Sequence, residues 1–404
     1  VISADRHLGI GWLTAGLYHR GALSFLSYEK HLQCIHDVFS AFRQYFGEIK
    51  PSLVIDDQVG SFIGAILYAI CAKDGIPIYA LTALEYRKNY YWQRERSGAV
   101  PGLSETYEKQ KLCFTDADGS YEFERGPIRA YGPANLERGN ITSLIKRLAV
   151  SIRKHAIRRV VAIKNRRTQQ GIAEVYILNI IRYIVQKFFN FRKELRRQYD
   201  PMDQIKDSEY VYFPLHFEPE ASLMGLEPHF TNQMHAIELL SKSVPVGVDV
   251  RIKEHPAGVG NRPSNWIDTI AKFPRVKLVH PFENSIELIR GSLATATITG
   301  TSGLEAALLG KPVISFGPNY RFNFVDHVWH ANDLLTLRSV LKEIESTKDF
   351  TGLQRNGKVL MKAIDMTCFK LDDHIIDENY PAQETVEVVA NELLKHVDQG
   401  KELR

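Results

Sequence analysis

The sequence predicts an α/β protein in which two strand–helix–strand halves flank a basic helical segment. Three observations carry this. Residues 53–57, 60–73 and 76–81 read as strand, helix and strand. Residues 293–298, a small-residue turn from Thr299, a short helix and residues 313–316 repeat the order. Between the halves, residues 146–197 hold 15 Lys or Arg against two Glu, a net of +13, in a chain whose total is +4. Everything outside that segment therefore sums to −9.

In the first half, the run 53–57 follows Lys50-Pro51 and has a buried-strand pattern. The helix places Ile63, Leu67, Ile70 and Cys71 on one side, and Gly75 ends it. The strand 76–81 completes a unit of the kind found in Rossmann-like domains. Charged and aromatic side chains crowd residues 82–96, including Tyr90, Tyr91 and Trp92. Two readings stand. One is an amphipathic helix packing its tyrosines onto the domain. The other is a loop where a ligand stacks on the rings and bonds Glu85 or Arg87. Asp56 and Asp57, at the preceding strand end, are candidate bases.

In the basic segment, Leu144, Leu148 and Ile152, then Ile177, Ile180, Ile181, Ile184 and Phe188, recur at helical spacing. Two helices broken near 168–171 fit. A basic amphipathic pair suits an anionic membrane surface. An oligomer contact or a solvated insertion would show the same pattern. Nucleic acid is disfavoured, because no recognisable binding module accompanies the charge.

The second half opens with a strand from Tyr210 running into a loop with His216, Glu218 and Glu220. Pro219 keeps Glu218 extended, so the two carboxylates share a side. Such a pair can act as base or nucleophile, or be an ordinary acidic loop. A helix over 230–243 turns Met234, Ile237 and Leu240 inward. The strand 248–252 ends in Lys253-Glu254-His255-Pro256, and in open α/β sheets ligands bind beyond the carboxyl ends of strands. A helix over 265–273 and a strand over 276–279 follow. The loop 280–285 then opens a helix over 286–290, with Asn284 or Ser285 as cap. Thr299, Gly300, Thr301, Ser302 and Gly303 start the next helix, offering free N–H groups and three hydroxyls to an anion. Glu305 lies three residues after Ser302, as in a capping box. Residues 317–330 are unusually aromatic and polar, with Tyr320 and Arg321 early in the loop. Helices run to the end, the last over 384–396 crossing back onto the first domain.

Tyr-Phe-Pro-Leu-His-Phe-Glu-Pro-Glu-Ala-Ser, Lys-Glu-His-Pro, Glu-Asn-Ser-Ile-Glu-Leu-Ile-Arg and Thr-Gly-Thr-Ser-Gly-Leu-Glu-Ala occur in this order within residues 209–317. Together they resemble the bacterial capsule polysaccharide biosynthesis family, which includes β-Kdo transferases of the GT-B type. The resemblance implies two Rossmann-like domains facing a cleft. The domains would be an acceptor domain at 1–141, the basic segment at 142–200, a donor domain at 201–345 and terminal helices at 346–404. It implies a nucleotide-sugar donor as substrate, a CMP-sugar favoured, and a glycan or glycolipid acceptor; Asp57, Glu85 and Arg87, outside the matching stretch, are the acceptor candidates read from the residues themselves. His255 and the turn Thr299, Gly300, Thr301 and Ser302 would meet the donor's phosphate or carboxylate, with Glu218 or Glu220 near the anomeric carbon. His216, Lys253, Phe282, Asn284, Ser285, Glu305, Tyr320 and Arg321 complete the expected donor set. No Asp-x-Asp pair stands in a metal setting and such enzymes generally work without one, so neither metal nor cofactor is expected. A GT-B-type nucleotide-sugar epimerase, or a non-catalytic scaffold of polysaccharide export, would share much of this pattern.

The length allows two cores. Cys34, Cys71, Cys113 and Cys368 show no ligand spacing and suit free thiols in a reducing cytoplasm. No run is long and apolar enough to cross a bilayer. The opening Val-Ile-Ser-Ala-Asp-Arg is not a signal peptide and lacks methionine, so native sequence upstream is expected. The resulting expectation is a cytoplasmic protein, peripheral on the inner face of the bacterial inner membrane.

Overall fold

The computed structural model describes residues 27–56, 62–84, 86–94, 98–115, 121–123, 139–164, 177–218, 223, 228–230, 232–263, 265–317, 321–347, 351–371 and 383–402. In chain order its elements begin with α1 (Tyr28–Ile49), β1 (Val54–Asp56), α2 (Phe62–Asp74), β2 (Ile78–Leu84), β3 (Asn89–Gln93) and α3 (Leu103–Cys113). The basic segment forms α4 (Ile141–Lys164) and α5 (Ile177–Leu195). Then come α6 (Met202–Lys206), β4 (Tyr210–Pro214), α7 (Gln233–Ser243), β5 (Asp249–Lys253), α8 (Trp266–Ile270), β6 (Val276–Val279), α9 (Ser285–Gly291), β7 (Ala294–Thr297) and α10 (Thr301–Leu308). The chain ends with β8 (Val313–Ser315), β9 (Val328–His330), α11 (Leu334–Ser346), α12 (Thr351–Thr367), β10 (Phe369–Lys370) and α13 (Gln383–Glu402). Two compact units result, one of residues 1–52, 58–76 and 130–284, the other of 53–57, 77–129 and 285–404.

In the first unit, β4 pairs in parallel with β5, and β5 with β6. Tyr210, Val211, Tyr212 and Phe213 are all buried, as a strand covered on both faces requires. β5 is less obvious, because Arg251 and Lys253 are buried within it. Arg251 is neutralised by Asp200 and Asp249 and donates to Ser208 Oγ at 3.2 Å. Asn232 caps α7 by accepting from Met234 N, and Ala236, Ile237 and Leu240 turn inward. In α2 the buried face runs through Ala65, Ile66, Ala69, Ile70 and Cys71, with Leu67 at its edge. Ile63, expected on that face, is 39% exposed, because the inward stripe is carried by Ile66 one turn later.

α5 is anchored by Ile184, Phe188 and Phe191, all buried. Phe191 presses on Gly260, whose φ is +80°; a Cβ there would lie 2.7 Å from Lys187 O and 2.8 Å from Phe191 N. Glycine is needed twice over, for its left-handed backbone and for this close approach. The two basic helices pack on each other. α4 nonetheless leaves Ile141, Ile145 and Ile152 exposed.

The second unit holds two sets of strands, which belong to different sheets. β7, β8 and β9 run in parallel. The other sheet has the order β1-β2-β3-β10 and is mixed, because β3 is antiparallel to both β2 and β10. This corrects the expectation of a helix or acceptor loop over 82–96. Arg87 and Lys88 both take positive φ, 50° and 56°, at the centre of a turn closed by Asn89 N–H donating to Tyr86 O at 3.1 Å, where β3 begins. The usual Asn-Gly signal is missing there, which hid the turn in the sequence. Tyr90, Tyr91 and Trp92 are buried in β3, so those rings hold a core together and offer no stacking face to a sugar. α13 lays Val389, Leu393 and Val397 against Tyr79 and Trp92, and Trp92 Nε1 donates to Val389 O at 3.3 Å.

Gly303, in the first turn of α10, brings that helix onto β7. A Cβ there would sit 2.6 Å from both Thr297 Cγ2 and Phe322 Cζ. Deeper in the unit, buried His327 shares its Nε2 proton with Ala307 O at 2.9 Å. Burial holds the His327 imidazole below its ordinary pKa of 6.5. The unfolded chain therefore takes up a proton that the folded chain refuses, and stability is lost as pH falls below 6.5. Urea melts between pH 7 and 5.5 are expected to show this loss with a slope approaching about 1.4 kcal/mol per pH unit. His327→Asn should flatten that dependence. An unchanged slope in the variant would refute the assignment.

Candidate functional site

The Lys253-Glu254-His255-Pro256 sequence leaves β5 and enters a short 3-10 turn, Pro256–Gly258. His255 caps that turn, its Nδ1 accepting from Ala257 N at 3.2 Å. With Nδ1 occupied as an acceptor, the neutral ring carries its proton on Nε2. The edge of Phe217 packs on the His255 ring, with centroids 6.0 Å apart. Lys253, buried, donates to Pro281 O at 3.2 Å and so ties this strand end to the loop 280–285.

Behind His255 lies a buried ionic cluster built around Arg262, a residue the sequence reading did not single out. Its guanidinium pairs with Glu254 through Nε and through Nη2 at 3.2 Å. It meets Glu218 Oε2 at 2.9 Å and donates to His216 O at 2.7 Å. Its plane lies 4.2 Å from the centre of the Trp266 ring. Gln233, fully buried, donates to the other oxygen of Glu218 and to His216 O, and accepts from His216 N at 2.8 Å. Glu254 in turn accepts from His255 N at 2.7 Å. Burial pushes the Glu254 carboxyl up while Arg262 pulls it back. The two carboxylates raise the Arg262 pKa against the same burial.

The geometry changes what Glu218 can do. Both its oxygens are engaged, one by Gln233 and one by Arg262. It braces the loop that holds His216, whereas a base needs a lone pair facing substrate. Glu220 lies outside the described residues, as do Asp57, Glu85 and Tyr320. His216 is buried, with its backbone clamped from both sides. Phe282 is half-buried beside His280, their rings 5.7 Å apart, and its N–H donates to His280 Nδ1 at 3.3 Å. Asn284 is exposed one residue before α9, which Ser285 starts.

In the second unit, α10 starts at Thr301 with Gly300 as an extended N-cap and no side-chain cap. The expected capping box is therefore corrected: Ser302 is the second residue of the helix, and Glu305 is buried in its next turn. Gly300 N donates to Thr297 Oγ1 at 2.9 Å, which fixes the entry of the chain. Thr301 and Ser302 are half-exposed at the first two helical positions, whose N–H groups have no acceptor within the helix. Thr299, by contrast, is buried, so two of the three expected hydroxyls stand where a ligand can reach them. Arg321 donates to Ala83 O at 3.4 Å and lies 5.9 Å from the Tyr91 ring. Arg87 donates to Glu122 O at 3.0 Å and pairs with Asp365, so its planar fork holds protein groups. Among the described residues no group of three His, Cys, Asp or Glu is placed to hold a metal ion. No described helix is long and apolar enough to cross a membrane.

Residues 153–325 match the family model described as "Capsule polysaccharide biosynthesis protein". A curated relative, Protein FixF of Sinorhizobium fredii, is 32% identical over 144 residues, covering 31% of this chain and 33% of that protein. The chain thus spans about a third of the length of the curated relative it matches. Among solved structures, a Thermosulfurimonas dismutans KpsC, beta Kdo 2,7 transferase, aligns over 79% of each chain with 12% identity and a TM-score of 0.33. A UDP-GlcNAc 2-epimerase from Neisseria meningitidis aligns over 82% of this chain and 79% of its own, at 14% identity and a TM-score of 0.33.

Proposed function

We propose that this chain, whose residues 153–325 belong to the capsule polysaccharide biosynthesis family, is a glycosyltransferase that moves a sugar from a nucleotide-sugar donor to a growing surface polysaccharide or glycolipid. The observation that carries the reading is the His255 turn. A histidine caps the turn at a strand end that a buried Arg–Glu cluster braces. In the proposed reaction, His255 takes up the charge of the departing nucleotide phosphate. Glu218 and Glu254, through Arg262, position the loops. Glu220 is the carboxylate left to act as base or nucleophile. The reaction is proposed to need no metal, so activity should survive EDTA. An acidic sugar such as Kdo, carried on CMP, is the donor favoured by the motifs in residues 209–317.

Thermal-shift measurements with CMP, UDP, GDP and ADP test the donor site, because a ligand bound only by the folded state raises the melting temperature. One nucleotide is expected to shift it, by an increment worth about 2.7 kcal/mol at a hundred times its Kd. No shift with any of the four would remove the donor site. If the matching sugar donor is consumed without an acceptor and its sugar is isomerised, an epimerase replaces the transferase.

We also infer a peripheral placement on the cytoplasmic face of an anionic membrane, supported by exposed Ile141, Ile145 and Ile152 on a helix that carries Lys146, Arg147, Arg153 and Lys154. Co-flotation with phosphatidylserine liposomes should fall as salt rises, and should fall further when those four cations become glutamine. Flotation that ignores both changes, or none at all, would dismiss the placement.

A further inference from the structure

The carboxyl-terminal half of α5 and the two residues that follow it line an open cavity of about 690 Å³ that the proposed transfer does not use. Its walls are Phe189, Arg192, Lys193, Arg196, Arg197 and, from α8, Asp268. Phe189 is 63% exposed, a large ring held against water beside four cations. The cations are partly organised already. Lys193 Nζ and Arg197 Nη2 both meet Asp268 at 2.7 Å, and Arg197 also pairs with Glu194 at 3.0 Å. These two cations hold the Asp268 carboxyl below its ordinary range, so it stays ionised. The Arg192 guanidinium lies 5.6 Å from the Phe188 ring, which fixes it next to Phe189. Counting Glu194, the wall carries a net of about two positive charges at neutral pH.

Three features of this wall select one kind of ligand. Guanidinium groups favour carboxylates, which they bind through two parallel hydrogen bonds. An exposed ring beside them offers an apolar face to match the C–H face of a sugar. Asp268 is an acceptor inside a cationic cavity, so it repels a compact polyphosphate and calls for hydroxyl donors. We propose that the cavity binds an acidic saccharide, with Arg192 and Arg196 on its carboxylates, Phe189 under a ring and Asp268 on its hydroxyls. This goes beyond the donor and acceptor chemistry above, and it would let the protein hold an anionic glycan through residues other than those proposed for transfer.

The test is isothermal titration of the full chain with tetragalacturonate, and with maltotetraose as a neutral chain of equal length. Tetragalacturonate is expected to bind and maltotetraose not. Phe189→Ala, and separately the double variant Arg192→Gln/Arg196→Gln, should each weaken binding about tenfold. Both variants should keep the parental melting temperature, and both should keep the thermal shift caused by the nucleotide. That second readout separates the two readings, because loss of the nucleotide shift alone would count against the transferase and leave this site standing. Failure of tetragalacturonate to bind would overturn the proposal. So would binding that Phe189→Ala leaves unchanged and inorganic phosphate displaces, which would mean a simple anion patch. Affinity for anionic vesicles that tetragalacturonate does not compete for, with no saccharide binding of its own, would assign the wall to a membrane instead.

Discussion

Arg262→Ala is expected to lower the melting temperature by about 10 °C or more, the equivalent of roughly 3–5 kcal/mol. The side chain is 7% exposed and is the cation for both Glu254, 8% exposed, and Glu218. Removing it leaves an uncompensated carboxylate beside another, in a place where water cannot replace the lost partner. His216 O would lose a donor at the same time. Arg262→Lys keeps a charge but not the fork that reaches Glu254, Glu218 and His216 together, and should fall between parent and alanine. The double variant Arg262→Met/Glu254→Gln should recover a substantial part of the loss, because the two residues share one interaction. Thermal melts of the four proteins check this. An Arg262→Ala protein melting within about 2 °C of the parent would show that the cluster does not brace the site.

His255 carries the second large effect. His255→Ala is expected to reduce sugar transfer by about 10²–10³-fold, the size of effect seen when a donor to developing negative charge is removed. Two roles are combined in this residue, since its ring also caps the Pro256–Gly258 turn. His255→Asn separates them. The asparagine oxygen can cap the turn while the imidazole is lost, so melting temperature should be kept and transfer should still fall. Rates measured with the donor named by the nucleotide screen decide it. Near-parental transfer by His255→Asn would mean that the cap alone matters.

Much of the framework was legible because it is local. Tyr210-Val-Tyr-Phe-Pro reads as a strand from its apolar run, and β4 is that strand. Gly75 marks a helix end in the sequence, and its φ of 69° is the conformation that stops α2. The basic pair of helices followed from spacing and charge, and the family match begins inside it, at residue 153. The hairpin at Arg87-Lys88 is hidden in the sequence because its two left-handed positions hold neither glycine nor asparagine, and because aromatic residues beside charges read equally well at helical spacing. The role of Arg262 was out of reach for a different reason. Its partners stand 8, 44 and 46 residues away in the chain, and no periodicity links a loop cation to a buried carboxylate on another element. One signal was present: Glu254 directly follows a buried strand, and a carboxylate there calls for a cation somewhere. The capping box failed because Ser302 already lies inside the helix, with Gly300 at the cap.

The central claim is that His255 meets the anion of a nucleotide-sugar donor. Nucleotide affinity of the parent, His255→Ala and His255→Asn, measured by titration calorimetry, tests that directly. The account predicts that both changes weaken binding, by about 1.5–3 kcal/mol, the worth of a hydrogen bond to a charged group. A nucleotide that binds both variants as tightly as the parent would contradict it.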